Sequence, residues 1–441
     1  MSTHKYCRVL LLALLLGLGF ALRFSQPTLV EFKRDEATIA RLGQAIAYEG
    51  QLPVVGVDSS LGIDNLPLTL YLVALPLRLW SDPLAAVLFT ILLNSVALLV
   101  GRRIARAALG ERAALVSTAL FAVSPWAVLY ARKIWARTLP LFVLLFIGAL
   151  LLTFVWRKRW ALVVAFAGLA ALLGLQLEAL AFVPLLAVAI LLYRDAVSWR
   201  ALLAGLLVFA LLLAPYVAHD ALHGWKNARG LLAYAAGGGG SFSWDAVRYS
   251  FALLGSGGIE GQAGPYHVQF RHQVPDLWWM NGALGVMLAG GLLYGAHQAV
   301  RGRTEQRRRT FVLLLLWYAF PVLLQLKPST PTQPHYFVMH YPVQFMLIGS
   351  LLAAAAEWAG RQHKPGWRVR WAVLGVWGLL VVGCGWQVLV TARLRATMVE
   401  HPSTGGYGIP LRYTRQAAQA ARRAVGEGEV IVLGETPYPF V

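Results

Sequence analysis

Long runs of apolar residues with no Asp, Glu, Lys or Arg in their interiors divide this chain, each roughly 16 to 21 residues long, the length a helix needs to cross a bilayer. Few architectures accept such runs. Apolar residues make up 58% of the 441 positions and charged residues 13%, where a soluble domain carries about a quarter charged. The pattern predicts an all-α polytopic membrane protein with eleven transmembrane helices over 7–22, 83–101, 113–130, 139–155, 160–175, 179–193, 201–218, 280–298, 311–326, 337–356 and 371–391.

The loops between the runs alternate in charge. One set is short and basic and, with Lys5 and Arg8, holds 20 Lys and Arg against four acids, a net of +16; the other holds the remaining 19 basic residues and 16 acids, a net of +3. By the positive-inside rule the first set is cytoplasmic, which puts the N-terminus inside and the C-terminus outside. The formal charge of +19 is therefore an orientation signal, and a nucleic-acid partner is excluded because no basic stripe with interleaved aromatics exists. Cys7 and Cys384 both fall in expected spans, so no disulfide framework is expected. Residues 1–24 lack a small-x-small cleavage site before Arg23 and read as a retained anchor. Residues 65–80 are apolar, but Pro67, Pro76 and Arg78 make them a juxtamembrane or re-entrant helix rather than a twelfth span.

Seven of the twenty acids lie between Glu31 and Asp82, in the first outer loop, 23–82. Within it 36–49 reads as an amphipathic helix through Ile39, Leu42 and Ile46, stopped at Gly50. Asp35 and Glu36 stand at its N-terminus, where the helix dipole favours negative charge. One reading makes Asp35 the N-cap and nothing more; the other makes the adjacent acids a catalytic pair, since capping accounts for only one of them. The second outer segment, 219–279, has glycines 237–240 and then Gly255, Gly257 and Gly258 flanking a short helix, and reads either as a flap over a site or as a plain connector. The transmembrane unit is expected over 1–391. The tail, 392–441, is expected outside as a small α/β-like piece with a helix at 416–425 and a strand at 430–433. It either packs on the outer loops or begins a longer unit.

Further candidates gather at the same face. Arg132, Lys133 and Arg137 put three cations into a short outer loop, against the charge rule; they suit a phosphate or pyrophosphate headgroup, or else reach ordinary anionic lipid. His335 and Tyr336 open the tenth span, as anion or sugar contacts or as an interfacial anchor. Gln176 and Glu178 join the fifth and sixth spans, and Glu178 so near the bilayer requires a partner or a task. Arg271 and His272, in the second outer segment, are candidate substrate contacts. His335 and His340 stand about 140° apart around a helix and cannot share one metal; no metal site is expected. No P-loop, HExxH, GxSxG or Cys-rich motif occurs. The uncharged span interiors argue against an ion-coupled transporter.

These residues, in this order, resemble the GT-C class of membrane glycosyltransferases, within it the protein O-mannosyltransferase and aminoarabinose transferase branch. The likeness rests on Asp35-Glu36 followed by Ala45, Gly50, Leu52 and Pro53, and on Gly62 with Pro67-Leu68. It continues through Ser124-Pro125 with Tyr130-Ala131-Arg132, Pro215-Tyr216, and His335-Tyr336 with Pro342. It implies transfer of a sugar from a polyprenyl-phosphate donor, entering from the outer leaflet, to a hydroxyl of a protein, lipid or glycan acceptor. It further implies Asp35 as general base and Glu36 as an orienting group. The chain departs from relatives at Ala136-Arg137-Thr138, where an acid is common, and at Gln176 and Glu178, where His is common. Because the leaving group is already a phosphate, fixed cations can stabilise it and no cofactor is required, with a divalent metal left open. Other readings are an envelope polysaccharide ligase or polymerase using a lipid-pyrophosphate donor, relying on the outer-loop Arg and His, and a lipid-sugar transporter. The expected location is the cell membrane, with the site on the extracytoplasmic face.

Overall fold

The structure, a computed structural model, describes residues 2–59, 62–135, 139–236, 240–328, 331–361, 367–401 and 408–425. Its helices in chain order are α1 (Ser2–Phe24), α2 (Arg34–Glu49), α3 (Leu68–Leu79), α4 (Pro83–Leu109), α5 (Glu111–Val123), α6 (Pro125–Tyr130), α7 (Leu139–Phe154), α8 (Ala161–Leu175) and α9 (Phe182–Leu192). There follow α10 (Trp199–Leu222), α11 (Lys226–Ala236), α12 (Asp245–Ala252), α13 (His267–His272), α14 (Trp279–Arg301), α15 (Glu305–Leu324), α16 (Val343–Arg361), α17 (Trp367–Glu400) and α18 (Leu411–Val425). Among the described residues there is no strand, only two isolated β-bridges, Glu31 with Pro410 and Asp58 with Asp64. This is an all-α polytopic membrane protein.

Each of the eleven expected spans coincides with helix. Among the described residues, five helices are long and apolar enough to cross a membrane on their own: α4, α10, α14, α16 and, from Trp371, α17. Three expected spans are interrupted. The third breaks at Ser124-Pro125 into α5 and α6, because Pro125 has no N–H to continue the ladder and Ser124 caps the new start through Ala127 N–H. The sixth opens as a 3-10 turn, Leu177–Ala181, before α9. The tenth begins six residues late, since Pro334–His340 forms a 3-10 stretch and α16 starts only at Val343. The amphipathic helix expected from 36 starts at Arg34, and α3, with 12 residues, confirms a short apolar helix at 65–80.

The tail also differs from expectation. α17 runs unbroken from Trp367 to Glu400, so the expected junction at 391 lies inside a helix. α18 starts at Leu411, earlier than the expected 416, and its first residue packs into a cluster with Val30, Phe32 and Ile39. The expected strand at 430–433 and three of the glycines at 237–240 lie outside the described residues.

The bundle packs α7 against α8, α8 against α10, α4 and α16 against α5, and α14 against α15 and α16. Small residues set the closest crossings, as they do where helices associate by van der Waals packing. A Cβ on Gly349 of α16 would fall 2.5 Å from the Ala113 carbonyl oxygen of α5, and one on Gly291 of α14 would fall 2.8 Å from the Leu347 backbone. Lipid-facing surfaces are equally legible: Val286, Leu293 and Val300 repeat every seven residues along α14 and are 74%, 73% and 75% exposed. Gly349→Ala should therefore lower the thermal unfolding midpoint in detergent, with overpacking costing about 1–3 kcal/mol. Gly375→Ala, which meets no atom within 4 Å, should leave the midpoint unchanged or raise it.

Candidate active site

Where α1 ends and α5 breaks, backbone carbonyls would stand unpaired inside an apolar bundle, and three arginines reach them. Arg23, 1% exposed, donates to Gly19 O and Ala122 O at 3.0 Å each and to Phe121 O at 2.9 Å. Arg132 donates to the carbonyls of Ser25 and Gln26, and Arg395 of α17 donates to Leu22 O and Ser25 Oγ. Beyond them Glu31, buried at 4% exposure, pairs with both Lys33 and Lys133. The tail grips the same stretch from the other side: Phe32 N donates to Ile409 O at 3.0 Å and Leu411 N to Val30 O at 2.8 Å.

Segment 25–33 is thus held from both sides, and it delivers the start of α2. The Glu36 carboxylate reaches back to accept from Lys33 N–H at 3.1 Å and is buried. Of the two readings of Asp35, the N-cap one is not realised: Glu36, the third helical residue, folds back on the residue that opens the helix, whereas Asp35 is exposed. Asp35 is exposed and lines a cavity of about 440 Å³.

Five expected site residues meet in that cavity: Asp35, Gln176, Glu178, His335 and Tyr336. They arrive from the first turn of α2, the turn after α8, and the 3-10 stretch before α16. The His335 ring packs edge-on against Trp135 at 5.3 Å and against Tyr336 at 4.5 Å between centroids. Arg132 and Lys133 do not line the cavity. Both meet protein acceptors: Arg132 the Ser25 and Gln26 carbonyls, and Lys133 the Glu31 carboxylate. Arg137 lies outside the described residues. Arg271 and His272 also stand elsewhere, on α13 beside α17; Arg271 sits 5.1 Å from the Trp278 ring and 3.9 Å from Glu260.

The cavity adds residues that sequence reasoning passed over, chiefly Asp58, Trp135, Tyr234 and Gln325. Asp58 sits on a small hairpin, with Gly56 N donating to Asn65 O at 2.6 Å and Ser59 N to Ile63 O at 2.9 Å. Gly56 is required there, since a Cβ would lie 2.7 Å from Leu66 O. Across the hairpin Asp58 bonds Asp64, which accepts from Lys226 Nζ at 2.9 Å and Asn227 Nδ2 at 3.2 Å. Tyr216, of the Pro215-Tyr216 pair, donates to Asp64 O at 2.7 Å. The high acid density of this loop was visible in the sequence, but pairing positions 58 and 64 needs the hairpin.

The hydrogen bond to Asp64 and burial push the Asp58 carboxyl above the ordinary range. Burial opposes ionisation of Asp64, yet bonds from Asp58, Lys226 and Asn227 outweigh it and pull Asp64 down. Of the two carboxyls, Asp58 therefore holds its proton to the higher pH. Asp35, Asp58 and Glu178 make the cavity acidic, with no Lys or Arg among its described lining residues. No group of three or more His, Cys, Asp or Glu arranged to hold a metal occurs among the described residues.

A raised carboxyl binds its proton in the folded state, so its stabilisation is lost as pH climbs from the ordinary value of 3.8 through the raised one. Asp58→Asn keeps a donor toward Asp64 without titrating. Thermal unfolding followed against pH should therefore show a shallower loss of stability above the ordinary carboxylate range in the variant than in the wild type.

No protein-family profile and no curated protein matches the chain. Solved structures do. ArnT of Cupriavidus metallidurans bound to undecaprenyl phosphate aligns with a TM-score of 0.60 at 14% identity, over 97% of this chain and 82% of that one. The same protein in its apo state gives a TM-score of 0.55 at 14% identity, over 91% and 78%. The Archaeoglobus fulgidus oligosaccharyltransferase tethered to an acceptor peptide gives 0.52 at 14%, over 98% of this chain and 60% of that one. This chain therefore shares the fold of these solved structures.

Proposed function

We propose that the cavity beside α2 is the active site of a glycosyltransferase that moves a sugar from a polyprenyl-phosphate donor to a hydroxyl acceptor. One observation carries this reading. Asp35 stands at the rim of the cavity with no hydrogen-bonding or ionic partner among the described residues, while its neighbour Glu36 is buried as a helix cap. A carboxylate held on a rigid helix end and open to a cavity suits a general base. The acceptor O–H gives its proton to Asp35 as its oxygen bonds the anomeric carbon, and the bond from that carbon to the phosphate oxygen breaks, with inversion. The electron pair leaves on polyprenyl phosphate.

The charge of the cavity orders the substrates within it. Glu178 and Asp58 accept hydrogen bonds and repel phosphate, so they and Gln176 suit sugar and acceptor hydroxyls. The donor phosphate is placed toward Trp135, His335 and Tyr336, where Arg137 follows Trp135 by two residues in the chain. The neighbour bound to undecaprenyl phosphate has this fold, which supports a lipid-phosphate donor. The lining segments all belong to the loops and span ends that the charge asymmetry assigns outside, which supports an extracytoplasmic site. The ligase reading leaned on Arg271, which stands outside the cavity, and so gains nothing.

With a labelled polyprenyl-phosphate sugar, Asp35→Asn should lower turnover by about 10²–10⁴-fold. Glu36→Gln should keep most turnover and instead lower thermal stability, an outcome opposite in kind; full turnover in Asp35→Asn would remove the base. Arg137→Ala should raise the donor KM about tenfold, through loss of one charge-assisted contact. Arg132→Ala should destabilise by about 1–3 kcal/mol with an unchanged KM in the folded fraction, because it frees buried carbonyls rather than substrate.

A further inference from the structure

A second cavity, of about 620 Å³, opens at the other end of the bundle. α15 joins the two: Gln306, Arg307 and Thr310 in its first turns line this cavity, and Leu324 at its end lines the first. Its 20 residues rise about 30 Å, the thickness of a hydrocarbon core.

Arg301, Arg303, Arg307 and Arg361 line the second cavity against a single acid, Glu357. Four other arginines at this end are ion-paired instead. Arg102 and Arg106 pair with Glu111, and Arg157 and Arg309 pair with Asp195 and Glu305. Arg301, Arg303 and Arg307 have no acidic partner among the described residues, and Arg361 stands 3.8 Å from Glu357. An orientation signal needs positive charge near the membrane; it does not need those charges to converge on a concavity. Arg307 is moreover held in place, with Nε donating to Gln298 Oε1 at 2.6 Å and Nη2 to Tyr294 Oη at 2.7 Å, its guanidinium 5.6 Å from the Phe311 ring. A fixed guanidinium fork beside further unpaired cations is an oxyanion receptor.

The surroundings identify the source of the anion. Tyr294, His297, Gln298 and Arg301 share one face of α14, and the exposed stripe of Val286, Leu293 and Val300 runs down the adjacent face. Trp156 and Trp358 line the cavity, the latter 58% exposed, as aromatics at a headgroup boundary are. A phosphate in the cavity would leave acyl chains to lie along the stripe. We propose that this cavity binds the phosphodiester headgroup of an anionic phospholipid, in the leaflet remote from the candidate active site. The site owes nothing to the proposed transferase chemistry, and its test does not read activity.

The test is native mass spectrometry of the full chain in neutral detergent, titrated with dihexanoyl-phosphatidylglycerol, dihexanoyl-phosphatidylcholine or inorganic pyrophosphate. The wild type should retain phosphatidylglycerol in preference to both other probes. R301Q/R307Q should weaken that binding about tenfold or more, while R106Q, which removes a cation paired with Glu111 at 2.8 Å, should not. If the double variant fails to fold, R303Q, whose side chain holds no other described element, should weaken binding severalfold. Equal phosphatidylglycerol binding by the wild type and the folded variant would overturn the site, as would equal binding of phosphatidylcholine. Pyrophosphate binding as well as the lipid would overturn the lipid assignment.

Discussion

Backbone carbonyls that end a helix inside an apolar bundle have no water to turn to, and this protein meets that demand with arginine. In hydrocarbon each unpaired carbonyl costs several kcal/mol by order of magnitude. Arg23 answers the end of α5 at Phe121 and Ala122; Arg132 and Arg395 answer the end of α1 between Leu22 and Gln26. One interaction type thus ties α1, α5, α6 and α17 together at a single level of the bundle. It also permits the break at Ser124-Pro125, which a continuous span would not contain.

The candidate site is downstream of that knot. Segment 25–33 leaves α1 in a fixed direction because its carbonyls are gripped, and Glu31 anchors it again between two lysines. Glu36 closes the first turn of α2, which leaves Asp35 facing the cavity. The other walls are also interrupted helices: the turn after α8, the end of α15 and the 3-10 stretch before α16. Polar groups collect where helices stop, since only there can a membrane bundle accommodate irregular backbone around a cavity.

Much of this was legible in the chain. Apolar run length located helix in each expected span, and acid density pointed to the first loop. Asp35, Gln176, Glu178, His335 and Tyr336, scattered over three hundred residues, share one cavity. What the chain hides has a common cause. The cations at 132 and 133 break the topological charge rule, but that they meet backbone carbonyls and a buried Glu leaves no residue pattern. Asp58 went unnoticed because its partner six residues away meets it only through a hairpin. Which of the two acids at 35 and 36 caps is decided by the helix starting at Arg34, and boundaries of that kind shift by a residue or two on side-chain detail.

The central claim is that the cavity ringed by Asp35, Glu178 and His335 is where the lipid-linked donor reacts. A photoreactive polyprenyl-phosphate sugar, cross-linked in membranes and mapped by peptide mass spectrometry, tests it directly. The account predicts label on Trp135, Tyr234, His335 or Tyr336, reduced by competing unlabelled donor. Competable label confined to 259–272, around Arg271 and His272, with none on the cavity walls, would contradict it.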